Sequence, residues 1–288
     1  CAGENGTLLM AYVDGEQWTV VETGIHDDLM DICLVQPDQA WVFGKKGTIL
    51  HSPDGGESWE DQWTDTSLHL NSVCFLDQLN GWAAGWKDDN EGVFLHTTNG
   101  GSEWVNLSTT GLPSASVIHM INNDNGWAVM GAGDVYKTTN GGEEWTFQFP
   151  NPALSTRITD IIFRGPDKGW AVGRNAAGAP VNPSVIMHTS DGGETWDYQS
   201  GNSWYGFNGV YFTDEDHGCA VGNIGTVTCT PSGGEPWVVL AGNFERPSVH
   251  DIFFADGMNG WAAGSSQYPN ASMLMRTTDG GWNWEELP

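Results

Sequence analysis

The sequence predicts an all-β fold, a β-propeller built from four-stranded blades. A corner motif of the form S/T-x-D/N-G-G-x-x-W recurs along the chain, and an apolar segment containing Trp, such as GWAVG, precedes most copies. The tryptophans that end successive motifs lie 41 to 51 residues apart. Propeller blades have repeat lengths of about 40–50 residues. Strands this short need stacking on neighbouring sheets to be stable, which a propeller provides.

Each repeat contains the same four strands in the same order. Strand a is an apolar run such as DIIF, strand b resembles GWAVG, strand c resembles VIMHT, and strand d starts near the motif tryptophan. Six repeats are complete between about residues 25 and 288, and the segment before them supplies only a c–d hairpin. Counting strands therefore favours six blades, with the hairpin helping to close the ring. A seventh blade would need strands a and b from elsewhere.

The corner motif connects strands c and d. Its polar residue can accept hydrogen bonds from the following backbone N–H groups, as in an Asx turn, and its glycines permit backbone conformations that a Cβ penalises. A device that recurs six times and tolerates Asp, Asn and Ser is structural, because catalysis needs one set of groups in one place. The residues assigned to this role are Asp54, Asn99, Asn140, Asp191, Ser232 and Asp279.

The corner motif resembles the Asp-box (BNR) repeat of sialidases. The fuller pattern, DIIF…GWAVG…TSDGGETW, is similar to the repeat of the photosystem II stability and assembly factor family of propellers. That resemblance covers nearly the whole chain. It implies an exported, non-catalytic protein that binds a protein partner, as an assembly factor or scaffold subunit of a membrane-associated complex. The sialidase resemblance leaves an alternative open, a glycan-binding or glycoside-cleaving propeller.

Composition narrows the range of partners. Ten basic residues against 37 acidic ones give a net charge of −27, which repels nucleic acid and anionic lipid heads. Cys1 is followed by a polar stretch and resembles the lipidated first residue of a processed bacterial lipoprotein. We therefore expect residues 1–6 to be a tether and residues 7–288 a single propeller domain. The expected location is the bacterial periplasm or cell surface, with membrane contact only through a lipid on Cys1.

The loops predict where a partner binds. In an a–b–c–d meander the corner motifs lie at one end of each blade, and the b–c and d–a loops lie at the other. The latter loops vary in length and carry aromatic and basic residues, which suggests a recognition surface. The residues predicted to form this loop face are Trp86, Phe149, Arg157, Arg174, Trp204, Tyr205, Phe244, Arg246 and Tyr268.

The sequence gives little support to a catalytic or cofactor site. A sialidase-like site would place Arg157, Arg174 and Arg246 around a substrate carboxylate, yet no Arg-Ile-Pro signature or spaced Tyr–Glu pair accompanies them. The acidic turns KDDNEG and TDEDHG hold oxygen ligands suited to Ca²⁺, but neither has EF-hand spacing, and solvated turns are commoner. Three histidines share one strand-c position with Lys and Arg, which favours packing on the strand-b Trp. We predict no metal, no cofactor and no catalytic residues.

In the fifth repeat, two of the five cysteines stand at positions that the other repeats fill with different residues. Cys219 takes the place of the strand-b Trp and Cys229 that of the strand-c residue facing it. Facing cysteines in an exported protein predict a disulfide. Cys33 and Cys74 occupy equivalent strand-a positions of neighbouring repeats and are expected to remain unpaired.

Overall fold

The structure is a computed structural model that describes residues 1–11, 17–35, 38–63, 65–87, 90–108, 111–149, 156–175, 184–240, 248–267 and 270–287. These residues form six four-stranded antiparallel sheets and one two-stranded sheet. The predicted fold class, an all-β propeller with six complete blades, is confirmed. Within the described part of the chain, no helix combines the length and apolar character that crossing a membrane requires.

The chain divides into two compact units, residues 1–131 with 135–147, and residues 132–134 with 148–288. The first unit contains blades one and two and most of blade three. Their strands, in the order a to d, are β3 (Leu29–Val35), β4 (Gln39–Gly44), β5 (Ile49–Ser52) and β6 (Glu60–Trp63); β7 (Leu68–Phe75), β8 (Gly81–Lys87), β9 (Glu91–Thr97) and β10 (Val105–Asn106); β11 (Ala115–Met120), β12 (Gly126–Met130), β13 (Asp134–Thr138) and β14 (Thr146–Phe149).

The second unit contains blades four, five and six. Their strands are β15 (Thr156–Arg164), β16 (Lys168–Asn175), β17 (Ser184–Thr189) and β18 (Asp197–Gln199); β19 (Phe207–Phe212), β20 (Gly218–Gly222), β21 (Val227–Thr230) and β22 (Val238–Leu240); β23 (Ser248–Phe254), β24 (Gly260–Gln267), β25 (Asn270–Thr277) and β26 (Glu285–Glu286). In every blade the strands follow one another in space as in sequence. The corners therefore lie at the same end of a blade as its a–b turn, as predicted.

The N-terminal segment forms the predicted hairpin, β1 (Leu9–Ala11) paired with β2 (Trp18–Val20). Before it, a 3₁₀ turn at Glu4–Gly6 places Asn5 at φ 54°. The b–c turns of blades one and five have the same conformation, with Lys46 at φ 53° and Ile224 at φ 57°. Residues 1–6, upstream of the hairpin, thus also resemble part of a blade, because they contain the same turn as these b–c turns.

Burial within each blade follows the strand order. Strand b is covered on both faces, so the whole run Gly126–Met130 is buried, as is Gly218–Gly222. Strand d is the outer edge, and β10, β22 and β26 expose most of their side chains. The sequence of strand b is therefore a continuous apolar run, and that of strand d is short and polar or mixed.

Each unit has its own hydrophobic core, formed where the strands of adjacent blades pack together. In the first unit, Trp41 and Phe43 of blade one pack with Leu70 and Leu95 of blade two. In the second, residues from blades four and five form one cluster and residues from blades five and six another. Contact between blades, rather than within one sheet, buries these apolar side chains, as expected for a repeat architecture.

All six a strands share one irregularity. Each has a register shift against its strand b, a β-bulge, as between Ile158 and Asp160 of β15. A bulge opposes two residues to one and turns a side chain away from the ordinary alternation. The paired positions at the bulge, such as Thr159 and Asp160, consequently point toward the next blade.

Candidate functional site

The corner motifs are structural, and blade two shows how. The Oγ1 of Thr97 accepts the N–H of Gly101 at 2.9 Å and donates to the Oδ1 of Asn99 at 3.0 Å. Asn99 Oδ1 also accepts the N–H of Glu103 at 2.9 Å. Gly101 has φ +86°, which a side chain would strain. The same network surrounds Asp54, Asn140, Asp191 and Asp279.

The corner also joins neighbouring blades. The Nε1 of Trp82, on strand b of blade two, donates to the carbonyl oxygen of Gly141 in the corner of blade three at 2.8 Å. Trp41 and Trp170 make the corresponding bonds to Gly100 and Gly233. A corner glycine therefore supplies a hydrogen-bond acceptor for the preceding blade, and its polar groups are engaged in the fold.

Blade five departs from the expected corner. We expected Ser232 to make a weaker version of the Asp bond, but the residue four positions on is Pro236, which has no N–H to donate. Ser232 Oγ instead donates to the carbonyl oxygen of Glu235 at 3.4 Å. The Nε1 of Trp237 donates to Gln199 of blade four at 2.9 Å. Pro236 thus removes the bond that the polar residue makes in the other corners.

The cysteines of blade five lie where the pattern predicted. Cys219 is directly opposite Cys229 in the β20–β21 register, with Cα atoms 4.1 Å apart and the sulfur atoms within bonding distance. This geometry supports the predicted disulfide, which stays a prediction. Cys33 and Cys74 form no disulfide in the structure. Burial raises the pKa of the Cys33 thiol to about 12 and that of Cys74 to about 11, so neither is an activated nucleophile.

The repeated histidines pack on tryptophans, as predicted. His51 stacks on Trp41 with ring centroids 4.6 Å apart, and His96 on Trp82 at 4.4 Å. His188 packs on the strand-b Trp of blade four in the same way. Burial lowers the pKa of all three histidines because it disfavours the charged imidazolium. Lys137 extends over Trp127 at the equivalent place in blade three.

The strand-a aspartates serve the fold as well. Asp31 accepts the N–H of Ile32 and, with its other oxygen, that of Val73 in the next blade, both at 2.8 Å. Asp160 binds Ile161 and Val210 in the same way. These carboxylates connect adjacent blades and are not arranged as a catalytic pair.

Four of the predicted loop-face residues are brought together in the second unit. Arg157 and Arg174 are direct cross-strand partners in β15 and β16, and both are exposed. The following d–a loop lies against them, because a Cβ added at Gly206 would approach the Cβ of Arg174 to 2.6 Å. That loop carries Trp204, 78% exposed, and Tyr205, 45% exposed. We call Arg157, Arg174, Trp204 and Tyr205 the cationic–aromatic patch.

No salt bridge to either arginine of this patch occurs within the described ranges. On a chain of net charge −27, two adjacent exposed guanidinium groups form a local positive site. Guanidinium groups bind carboxylates, and exposed aromatic rings supply apolar contact area. The patch is therefore chemically suited to a peptide that carries a carboxylate and an apolar side chain.

The remaining predicted residues of the loop face are not part of this patch: one lies in the first unit, and the others lie wholly or partly outside the described residues. Trp86, in the first unit, is half-buried and stacks on His69 with ring centroids 4.0 Å apart. Sequence reasoning missed His69, although its position opposite Trp86 in the β7–β8 register follows once the bulge is known. Phe244, Arg246 and Tyr268 lie outside the described residues, as does the side chain of Phe149.

No cluster of three or more His, Cys, Asp or Glu suited to a metal occurs in the part of the chain that the structure describes. In the acidic turn TDEDHG, the carboxylate of Asp214 accepts the N–H groups of Asp216 and His217 at 2.8 and 2.7 Å. Its oxygens therefore cap the a–b turn of blade five. The turn KDDNEG falls partly outside the described residues.

Comparison with known proteins agrees with the resemblance in the repeats. The family model for photosynthesis system II assembly factor YCF48 matches residues 10–153. The photosystem II assembly lipoprotein Ycf48 of Synechococcus sp. (strain CC9902) is 24% identical over 229 residues, covering 78% of this chain and 66% of the relative. The chain thus spans about two thirds of that relative's length.

Solved structures share the fold. A structure described as YCF48 bound to D1 peptide has a TM-score of 0.71 at 20% identity, covering 99% of this chain and 86% of the other. The GH74 xyloglucanase from Xanthomonas campestris has a TM-score of 0.72 at 12% identity, covering 91% of this chain and 45% of the enzyme. At such identities the likeness extends to the fold alone.

Proposed function

Because this chain belongs to the photosynthesis system II assembly factor YCF48 family, we propose that it is a non-catalytic assembly factor or scaffold subunit that binds a protein partner in a membrane-associated complex. The observation that carries the proposal is the family match, and a structural neighbour described as bound to a D1 peptide supports a peptide segment as the ligand.

The b–c and d–a loop face is the proposed binding surface, and the cationic–aromatic patch in blades four and five is the proposed point of contact. Arg157 and Arg174 are neighbours across the strands, so they can bind one carboxylate from two sides. Trp204 is the most exposed aromatic residue in the patch and provides an apolar anchor. We expect the bound segment to place an acidic group, or a C-terminal carboxylate, close to an apolar side chain.

Export and lipidation form part of the same proposal. The name of the Synechococcus relative includes the word lipoprotein, and Cys1 is the residue that would carry the lipid here. In the structure the amino group of Cys1 donates to the carbonyl oxygen of Leu9 at 2.8 Å, next to the hairpin. The bacterial periplasm or cell surface is the proposed location. Intact mass after membrane extraction tests this, because thioether-linked diacylglycerol adds a defined mass to the N-terminal peptide.

The patch also keeps a second function open, glycan binding or cleavage. Adjacent arginines suit a sugar carboxylate, and the fold is shared with a xyloglucanase. The two functions differ in their ligand. Binding to an acidic glycan panel, or hydrolysis of a glycoside panel, would support the second function; neither is expected if the patch binds a peptide.

The experiment is affinity purification of the tagged chain from native membranes, followed by mass spectrometry. We expect one membrane-complex protein to be recovered. The double variant Arg157→Glu/Arg174→Glu should reduce its recovery on the order of tenfold, because it replaces attraction by repulsion at the contact.

Lys168→Glu is the matched control. It makes the same kind of charge change on blade four, but Lys168 lies on the a–b side of the blade, paired with Glu215 at 2.6 Å. Recovery should be unaffected by this variant. Equal losses with the control and the double variant would show only a general charge effect and would contradict the proposed face. Recovery of the chain alone would contradict the proposed function itself.

A further inference from the structure

The b–c turn of blade five holds an isoleucine in a backbone conformation that suits it poorly. Ile224 has φ 57° and ψ 42°, the left-handed region, in which the Cβ of an L-residue lies too close to the following carbonyl oxygen. A β-branched residue is rare there. The other non-glycine residues with positive φ in the described ranges have no branch at Cβ: Asn5, Lys46, Asn90 and Asn202. Asn5 and Lys46 occupy the equivalent position of the same turn, so the turn does not require isoleucine.

Hydrogen bonds around the turn hold it in this conformation. The N–H of Asn223 donates to the carbonyl oxygen of Gly206 at 3.1 Å, and the hydroxyl of Thr226 donates to the carbonyl oxygen of Asn223 at 2.7 Å. The side-chain oxygen of Asn223 accepts from Nδ2 of Asn208 at 3.3 Å. An unfavourable backbone conformation persists only where its surroundings over-determine it, and such residues are concentrated in functional sites. The position of Ile224 is therefore fixed by the fold.

Ile224 is also exposed. It is 43% exposed although it is a large apolar residue, and it stands in a b–c turn, on the proposed loop face. Partial burial gives it a small hydrophobic contribution to the fold, and the backbone conformation works against that contribution. Neither the turn nor the core thus accounts for an isoleucine at this position, whereas a partner that covers the side chain would.

The turn borders the cationic–aromatic patch. The loop that carries both aromatic residues of the patch continues into Gly206. Arg174 of blade four lies against Gly206, and the same glycine accepts the N–H of Asn223 from the turn. Two backbone-to-backbone contacts of about 5 Å each therefore separate Arg174 from the turn, or at most about 10 Å in all. An extended chain covers that distance in about three residues.

We propose that Ile224 is the specificity-determining apolar contact of the loop face. It binds the side chain of a leucine, isoleucine, valine, methionine or phenylalanine that lies two to four residues from the carboxylate held by Arg157 and Arg174. This role rests on the proposed function, because it adds a residue to the same binding surface. It goes beyond that function by fixing which peptide segments bind and which are rejected.

The charges favour a peptide segment of another protein over a second copy of this chain. Arg157 and Arg174 attract a carboxylate, and no ion pair to either of them occurs in the described part of the molecule. Two whole chains, each with a net charge of −27, repel each other. A short extended segment with one acidic residue meets far less of that repulsion and brings an apolar side chain to the turn.

Stability measurements separate a binding role from a role in the fold. Ile224→Asn places in the turn the residue type that Asn5 shows to be compatible with it. Val239→Asn is the matched control, because Val239 is also 43% exposed but lies in the regular outer strand β22, away from the loop face. In thermal unfolding, Ile224→Asn should leave Tm unchanged or raise it by up to about 3 °C, since it relieves the backbone strain. Val239→Asn should lower Tm by about 1–4 °C.

Specificity is tested with a random dodecapeptide library displayed on phage and selected on the full chain. Peptides enriched on the parent should contain Asp or Glu with a large apolar residue two to four positions away. Selection on Ile224→Asn should keep the acidic preference and lose the apolar preference at that spacing. Selection on Arg157→Glu/Arg174→Glu should lose the acidic preference, which assigns each preference to its own residues.

The most enriched peptide is then synthesised with a fluorophore and titrated with each chain in fluorescence anisotropy. Ile224→Asn should weaken binding about five- to tenfold, the loss expected for one well-covered apolar contact. Ile224→Leu keeps the apolar surface and should bind within about twofold of the parent, as should Val239→Asn. Alanine at the apolar position of the peptide should weaken binding by the same factor, with no further loss in combination with Ile224→Asn.

Four outcomes would overturn the inference. They are an apolar preference that persists on Ile224→Asn, acidic peptides without an apolar preference on the parent, additive losses in the combined titration, or a fall in Tm for Ile224→Asn as large as that for Val239→Asn. Self-association of the parent that Ile224→Asn abolishes, measured by analytical ultracentrifugation, would also overturn it, because the contact would then be a second copy. The proposed surface fails separately: no enriched peptide, or no acidic preference on the parent, would contradict the arginine patch itself.

Discussion

At the scale of single residues, the corners show what an Asp box requires. The position needs an oxygen that accepts the N–H four residues on, and both the carboxylate of Asp54 and the amide of Asn99 provide one. The interchange of Asp and Asn in the sequence follows from this requirement, because both side chains carry such an oxygen. The predicted bond at Ser232 was wrong. It needs a backbone N–H four residues on, and Pro236 at that position has none, so the Ser232 hydroxyl bonds to Glu235 instead.

Asp191 offers a test of the corner in acid. Hydrogen bonds from Thr195, from both its hydroxyl and its N–H, lower the pKa of Asp191 from 3.8 to about 2. A lowered folded-state pKa means that the carboxylate stabilises the fold above pH 4 and loses this contribution as the pH falls toward 2. Asp191→Asn keeps the N–H acceptor, as Asn99 and Asn140 do, but cannot titrate.

We expect Asp191→Asn to be less stable than the parent at pH 6, and the difference to shrink between pH 4 and pH 2. Urea unfolding of both chains across pH 2–6 measures this. A difference that stays constant over the whole range would show that ionisation of Asp191 does not stabilise the corner.

At the scale of secondary-structure elements, pairs across strands b and c were predictable and pairs across strands a and b were not. The constant separation of ten residues between Trp41 and His51, and between Cys219 and Cys229, identifies facing positions across a tight turn. The adjacency of Arg157 and Arg174 depends on a long strand pair with a bulge in it. A bulge shifts the register by one residue, and no residue type in these segments indicates where the bulge lies.

The two cysteines of blade five allow a prediction about one strand pair. A bridge between residues ten apart closes a short loop, for which chain entropy predicts about 2–3 kcal/mol of stabilisation. Reduction of the purified chain, or the double variant Cys219→Ser/Cys229→Ser, should lower the free energy of unfolding by that amount.

Thiol titration under denaturing conditions should find two fewer reactive thiols before reduction than after it. Cys33→Ser is the control for loss of an unpaired, half-buried thiol and should leave that difference at two. Equal thiol counts before and after reduction would mean that Cys219 and Cys229 are not bridged.

At the scale of the whole molecule, the sequence predicted the fold more fully than the site. The repeat gives strand number, order and blade boundaries because every blade needs the same turns and the same buried b strand. The residues proposed to bind a partner lie in the segments where the repeats differ, so no internal copy of Trp204 or Arg174 exists to compare them with.

Net charge leads to a prediction for the whole chain. With −27 charges, mutual repulsion opposes the compact state, and salt screens it within about 8 Å at physiological ionic strength. Raising NaCl from about 10 mM to about 300 mM at pH 7 should therefore increase the free energy of unfolding by about 1–2 kcal/mol and raise Tm by about 2–6 °C. Differential scanning calorimetry measures the shift.

The matched condition is the same salt series near pH 4.2, the isoelectric point. There the net charge is close to zero, so screening has little repulsion to remove, and Tm should change much less with NaCl. An equal rise at both pH values would assign the effect to general salting-out rather than to charge. A fall in Tm with salt at pH 7 would mean that attractive ion pairs, such as Lys45–Asp28, outweigh the repulsion of the excess acids.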